Sequence, residues 1–169
     1  MAEISKATIA DIGELNKLIN SAYRGETAKK GWTNEAHLLG GIRVDEEELG
    51  NIINREKSFF LKYTENQKIT ACVLLEKHDD EMYLGMLTVS PELQGRGVGK
   101  ELLKAVEIQA RQSGCAKIYM TVISVRIELI AWYQRHGYKD TGIRKPFPVD
   151  QKFRISKNPL EFIVLEKEV

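Results

Sequence analysis

Residues 84 to 123 set the tightest limit on how this chain can fold. An apolar run, Leu84 to Val89, stops at Pro91. Gly95, Gly97 and Gly99 follow, and an apolar-periodic stretch starts at once, with Leu102, Leu103, Val106 and Ala110 on one helical face. Ser113-Gly114 ends that helix, and the β-branched run Ile118 to Ile123 reads as a strand. A strand–helix–strand crossover requires its two strands to be parallel neighbours or near-neighbours in one sheet.

The turn inside the crossover also has a chemistry. The first N–H groups of a helix have no intrahelical partner, and the macrodipole places partial positive charge there. Glycines permit positive φ and let a phosphate approach the backbone. Arg96 and Lys100 add full charges beside the cradle. Two familiar phosphate loops fail on spacing. The Walker pattern G-x-x-x-x-G-K-[ST], counted back from Gly99-Lys100, meets Gln94 in place of its first Gly and Glu101 in place of Ser/Thr. The dinucleotide pattern G-x-G-x-x-G, begun at Gly97, meets Leu102 in place of its last Gly.

The rest of the chain supplies the context. Ile4 to Thr8 reads as a first strand. Asp11-x-x-Glu14 reads as a capping box for a helix carrying Ile12, Leu15, Leu18, Ile19, Ala22 and Tyr23 on one face. Asp45-x-x-Glu48 opens a second helix. Phe59 to Tyr63, Ile69 to Leu75 and Met82 to Val89, joined by short polar links, predict an antiparallel meander. Ile127 to His136 is a helix stopped by Gly137, and strands at Tyr138 to Arg144 and Leu160 to Leu165 complete the order β-α-α-β-β-β-α-β-α-β-β.

Gln94-Gly95-Arg96-Gly97-Val98-Gly99 fits Q/R-x-x-G-x-G/A, and Ala131-Trp132-Tyr133-Gln134-Arg135-His136-Gly137-Tyr138 fits A-x-Y-x-x-x-G-F/Y. Both segments, and the element order, resemble the GNAT superfamily of GCN5-related N-acetyltransferases, over nearly the whole chain. The resemblance implies an α+β fold in a single domain spanning 1–169. Its sheet would be single, mixed and mostly antiparallel, with helices on both faces and a splayed central parallel strand pair. It implies acetyl-CoA as cosubstrate. The pyrophosphate would be held by Gln94, Gly95, Arg96, Gly97, Val98, Gly99 and Lys100, and the pantetheine arm would lie along Leu87, Thr88 and Val89 like an added strand.

Acetyl transfer to an amine also needs an acid for the leaving thiolate and a route for the amine's proton. Tyr133 stands where the family has its acid tyrosine. A phenol of ordinary pKa, about 10, is protonated at neutral pH and can give that proton to a thiolate. Some relatives place a Glu on the strand before the glycine loop. Here that position is Tyr83, with Glu81 at the turn and Glu76 near the end of the preceding strand, and no base is assigned. Arg126 stands where relatives often have a cofactor-contacting Asn, with Ser124 beside it.

The acceptor is expected to meet the end of the first helix and residues 25 to 44, with Tyr23, Trp32 and Glu35 as lining candidates. Gly31-Trp32-Thr33-x-Glu35 resembles a bacterial subgroup of unassigned substrate. A non-catalytic acyl-CoA-binding module on the same fold is the alternative. Lys and Arg total 25 against 24 Asp and Glu, which gives no general attraction to nucleic acid or an anionic membrane, so anion binding must be local. No long apolar span or leader pattern is present, which predicts a soluble cytoplasmic protein. Cys72 and Cys115 read as small core residues, and the dispersed histidines predict no metal site. The resemblance also implies a homodimer, for which the edge of the C-terminal strand, Leu160 to Leu165, could pair with a second copy.

Overall fold

The computed structural model describes residues 2–23, 39–40, 44–146, 155–156 and 161–169. In chain order the elements are β1 (Ala2–Lys6), α1 (Ile12–Tyr23), β2 (Leu39–Gly40), α2 (Glu46–Asn54), β3 (Ser58–Glu65), β4 (Lys68–His78), β5 (Glu81–Val89), α3 (Val98–Gln112), β6 (Lys117–Ile123), α4 (Ile127–Arg135), β7 (Lys139–Pro146), β8 (Ile155–Ser156) and β9 (Glu161–Glu168). Among the described residues, seven strands form one sheet in the order β1-β3-β4-β5-β6-β9-β7. β2 and β8 pair separately, an element that the sequence reading did not anticipate.

The polar links Glu65–Lys68 and His78–Glu81 are too short for anything but hairpins, so β3, β4 and β5 form the expected antiparallel meander. Asn66, Gln67 and Asp79 take positive φ at these tight turns. The crossover through α3 makes β5 and β6 parallel neighbours. Alternation along the strands buries two apolar layers. Val73, Leu75, Met82, Leu84, Ile118 and Met120 face α3 and α4, where Leu102, Leu103, Val106 and Ala110 close the layer. Phe60, Cys72, Leu74 and Met86 face α1 and α2, where Leu15, Ile19, Leu49 and Ile52 do the same. Both cysteines are buried as expected, and burial pushes the Cys72 thiol up to about 12.

β5 departs from regular geometry where it matters. Its pairing with β6 has only three rungs, Glu81↔Lys117, Met82↔Ile118 and Tyr83↔Tyr119. Against β4 the register runs Leu74↔Gly85 and then Cys72↔Thr88, so β5 carries one extra residue. Met86, at φ 48°, is that bulge. It turns the strand away from β6 and produces the expected splay.

Three local expectations are corrected. β1 begins two residues earlier than the hydrophobic run indicated. The first cap is Thr8-x-x-Asp11, one turn before the expected box: Asp11 accepts the Thr8 N–H at 2.8 Å, while Glu14 accepts the Ile69 N–H at 3.0 Å and ties α1 to β4. The C-terminal strand is not an edge, because β9 is paired on both sides, by β6 and β7. The described sheet ends at β1 and β7 instead.

Asp11 also meets Lys62 at 2.9 Å. Burial pushes its carboxyl up, but the Thr8 N–H and the Lys62 ammonium outweigh that and hold it below its usual value. A carboxylate with a lowered folded-state pKa contributes stability that is present at neutral pH and is lost as pH falls through that value. Asp11→Ala is therefore expected to cost about 1–2 kcal/mol at pH 7. Urea denaturation at neutral pH and below about pH 4 checks this, since the deficit narrows with acidity.

Candidate active site

α3 begins with a glycine. Gly97 is its N-cap at φ 80°, and no side chain caps the helix. The first intrahelical bond in the turn runs from the Glu101 N–H to the Gly97 carbonyl at 3.1 Å, so the amides of the first turn precede the ladder. Gly95 is also left-handed, at φ 91°. An added Cβ at either glycine meets no atom within 4 Å. The constraint at both is therefore backbone conformation, and the space beside them is open. Gln94 locks this loop to the strand: its side-chain amide donates to the Val89 carbonyl at 3.0 Å.

That open space is a cleft of about 720 Å³ between the start of α3 and one face of α4. Of the residues expected to hold the cofactor, Val89, Gln94, Gly95, Gly97, Val98, Gly99 and Lys100 line the first wall, together with Leu93. Arg96 is exposed on the loop but is not among the lining residues. Ile127, Glu128, Ala131, Trp132, Arg135 and His136 form the opposite wall, and the sequence reading missed it. The signal was an i, i+4, i+8 stripe, Ile127-Ala131-Arg135, turned away from the sheet. Ile127 is 74% exposed at the head of that stripe. The two walls meet at Gly99 and Trp132: a Cβ on Gly99 would lie 3.1 Å from Trp132 Cζ2, so a side chain there would require the indole to shift by a few tenths of an ångström.

Other expected residues lie elsewhere. Leu87 and Thr88 are buried at the bulge, where the Thr88 hydroxyl donates to the Met86 carbonyl at 2.8 Å. Tyr133 is 5% exposed and sits in the core. Its ring packs edge-on to Trp132 and Tyr138, with centroids 5.1 and 5.7 Å away. Arg126, at the N-cap of α4, is 8% exposed, and neither it nor Ser124 lines the cleft. Tyr23 ends α1, but its side chain, like Trp32 and Glu35, lies outside the described residues. Among the described residues no group of three His, Cys, Asp or Glu could hold a metal ion. No helix there is long and apolar enough to cross a membrane.

The N-terminus of α3 thus presents its first amides, with their partial positive charge, to an open cleft beside a strand that leaves its parallel neighbour. The Acetyltransferase (GNAT) family matches residues 18–138, most of the chain and the whole of this site. The chain belongs to the GNAT acetyltransferase family. Its fold and family are those of an acyltransferase. The ribosomal protein bS18-alanine N-acetyltransferase of Haemophilus ducreyi is 30% identical over 100 residues, 58% of this chain and 69% of that one. An amino-acid acetyltransferase of Pseudomonas putida is 28% identical over 144 residues, 84% of this chain but only 28% of that protein. Among solved structures, the ribosomal-protein-S18-alanine N-acetyltransferase from Escherichia coli superposes with TM-score 0.75 at 17% identity, covering 100% of this chain and 94% of that one. The PaiA N-acetyltransferase from Thermoplasma acidophilum, solved in complex with coenzyme A, gives 0.69 at 19%, covering 100% and 99%. The GNAT fold, with its mixed sheet and splayed strand pair, is as expected.

Proposed function

We propose that this protein is an acetyl-CoA-dependent N-acetyltransferase acting on the primary amine of a small molecule, amino acid or peptide. One observation carries the reading: the uncapped glycine start of α3 opens onto the cleft directly beyond the splayed end of β5. Bound there, acetyl-CoA brings an acyl thioester already activated for transfer.

The first-turn amides of α3, with Lys100, hold the pyrophosphate through the helix-terminus field and direct hydrogen bonds. Leu87 to Val89 lie along the pantetheine arm, and a backbone N–H there faces the thioester carbonyl, where negative charge develops on attack. Ile127 and Ala131 offer apolar surface to the rest of the cofactor. Tyr133 is taken as the general acid for the departing thiolate from the family resemblance, and its ring packs directly behind Trp132 of the cleft wall. The acetyltransferases it resembles act, by their names, on a ribosomal-protein alanine and on amino acids, which supports an amine acceptor. No specific observation favours a non-catalytic module.

Acetyl-CoA titration by calorimetry tests the reading, followed by thiol release against free amino acids and short peptides beginning with alanine. Micromolar binding with amine-dependent release is expected, and no binding overturns the assignment. Tyr133→Phe keeps the ring and its packing on Trp132 and Tyr138. Turnover is expected to fall by about 10²–10⁴-fold, the usual worth of a positioned proton donor, with acetyl-CoA affinity nearly unchanged. A rate unaltered across pH removes Tyr133 from the chemistry.

A further inference from the structure

One face of β9 is apolar except at a single charged position. Ile163 and Leu165 are buried in the layer under α3 and α4, and Val169 packs against it. Side chains two apart on a strand share a face, so Lys167 stands in the same row. An ammonium in an apolar row is costly unless it is paired. Lys167 is paired twice. It forms an ion pair with Glu107 on α3, and it donates to the carbonyl of His136, the C-cap of α4, at 2.8 Å. The Lys167 side chain is 27% exposed and that of Glu107 18%, so both charges lie partly out of water. The lysine stem crosses Gly137, where an added Cβ would lie 3.1 Å from Lys167 Cε. Its Nζ stands 5.8 Å from the centre of the Tyr138 ring.

These contacts continue into the cleft. His136 lines the α4 wall, its Nδ1 meets the Trp132 carbonyl at 2.8 Å, and its ring lies 4.5 Å from that of Trp132 between centroids. Trp132 in turn lies against Gly99. Glu107, Lys167, His136, Trp132 and Gly99 therefore form a closed circuit, from α3 through β9 to α4 and back to α3. Gly99 and Glu107 are a little over two turns apart on α3, about 12 Å along its axis. Contacts at two heights fix both the separation and the tilt of two helices, where either contact alone would leave a hinge. The lysine cation also meets the negative end of the α4 macrodipole.

We propose that Lys167 is a positioning residue for the cofactor cleft: by tying Glu107 of α3 to the end of α4, it sets the distance between the two walls and with it the affinity for acetyl-CoA. The proposal rests on the acetyltransferase reading above. Lys167 is not among the residues that line the cleft, so it acts through the walls. Without the tie, the α4 wall carrying Ile127, Ala131 and Trp132 is free to tilt about the Gly99 contact. The first-turn amides of α3 then lose their fixed direction relative to that wall. Acetyl-CoA would have to order the two walls as it binds, and that ordering cost appears as weaker binding. Once the cosubstrate is seated, the chemistry at the fork is unchanged.

The test compares Lys167→Met, Lys167→Arg and the double variant Lys167→Met with Glu107→Gln. Met keeps a stem over Gly137 and Tyr138 and removes the charge, whereas Arg keeps the charge. The readouts are the urea midpoint, acetyl-CoA affinity by calorimetry, and kcat at saturating acetyl-CoA with the most reactive amine of the panel above. Lys167→Met is expected to lower the midpoint, because it leaves Glu107 without its partner. It should also weaken acetyl-CoA binding about tenfold while kcat stays within about twofold. Lys167→Arg should retain most of the affinity. In the double variant the midpoint should recover, because no partly buried charge lacks a partner, but affinity should stay low, because the tie is still missing. Affinity that recovers with the midpoint, or never falls, overturns the role of Lys167 and leaves the acetyltransferase reading standing. A readout without cosubstrate comes from Trp32→Phe, which leaves Trp132 as the one indole of the chain. Adding Lys167→Met to it should raise quenching of Trp132 fluorescence by acrylamide, and unchanged quenching overturns the proposal. Absence of acetyl-CoA binding by the unsubstituted protein overturns the acetyltransferase reading, and the quenching alone then decides whether Lys167 sets the cleft.

Discussion

Gly97→Glu is expected to abolish acetyl-CoA binding while leaving the protein folded. Gly97 has φ 80°, where a side chain is strained by about 1–2 kcal/mol, but its Cβ would enter open space rather than the core. An acidic group at a helix N-terminus also interacts favourably with the macrodipole, which offsets part of that strain. The carboxylate then occupies the position the pyrophosphate needs and repels what it does not displace. Affinity should fall by at least about a hundredfold, equivalent to about 2.7 kcal/mol. Calorimetry on the variant, with circular dichroism to confirm the fold, measures it. Undiminished affinity would remove the glycine loop from the cofactor site.

Leu102→Ala carries the largest expected cost in stability. Leu102 is fully buried, one turn below the cradle, in the layer formed with Leu84, Met120 and Val106. Replacing it removes apolar contact and leaves a cavity, for an expected loss of about 2–5 kcal/mol. That is a large share of the roughly 5–15 kcal/mol that holds a domain together. The urea midpoint should fall steeply, and a change below about 1 kcal/mol would mean that α3 is not seated as described. Because the preceding turn of the same helix presents the first amides of α3 to the cleft, this packing also fixes their direction.

The sequence made much of this site legible because the information was local. Gly95, Gly97 and Gly99 fall between a strand and a helix, and that alone specifies a backbone cradle. Alternation in β3, β4 and β5 specified the meander, and the length of the crossover specified the parallel pair. What was hidden depended on neighbours remote in sequence. Met86 has no chemical mark of a left-handed bulge residue; the register of β4 imposes it. Glu14 was read as a cap because nothing local shows that it reaches the Ile69 amide. The α4 wall of the cleft went unread because Trp132 looks like a core residue, whereas it both packs on the core and lines the cleft. Between β6 and β7, β9 closes the ladder by a strand order that periodicity does not encode.

The brevity of the β5–β6 ladder has a further consequence. Backbone pairing divides the sheet into a four-stranded leaf, β1-β3-β4-β5, and a three-stranded leaf, β6-β9-β7, joined by three rungs and by α3 packed across the join. An extended molecule lying in the fork would stand in for the rungs the two leaves do not share. A cosubstrate bound there would become part of the architecture, adding to the few rungs that join the two leaves. Each catalytic cycle would begin by completing the sheet and end by reopening it.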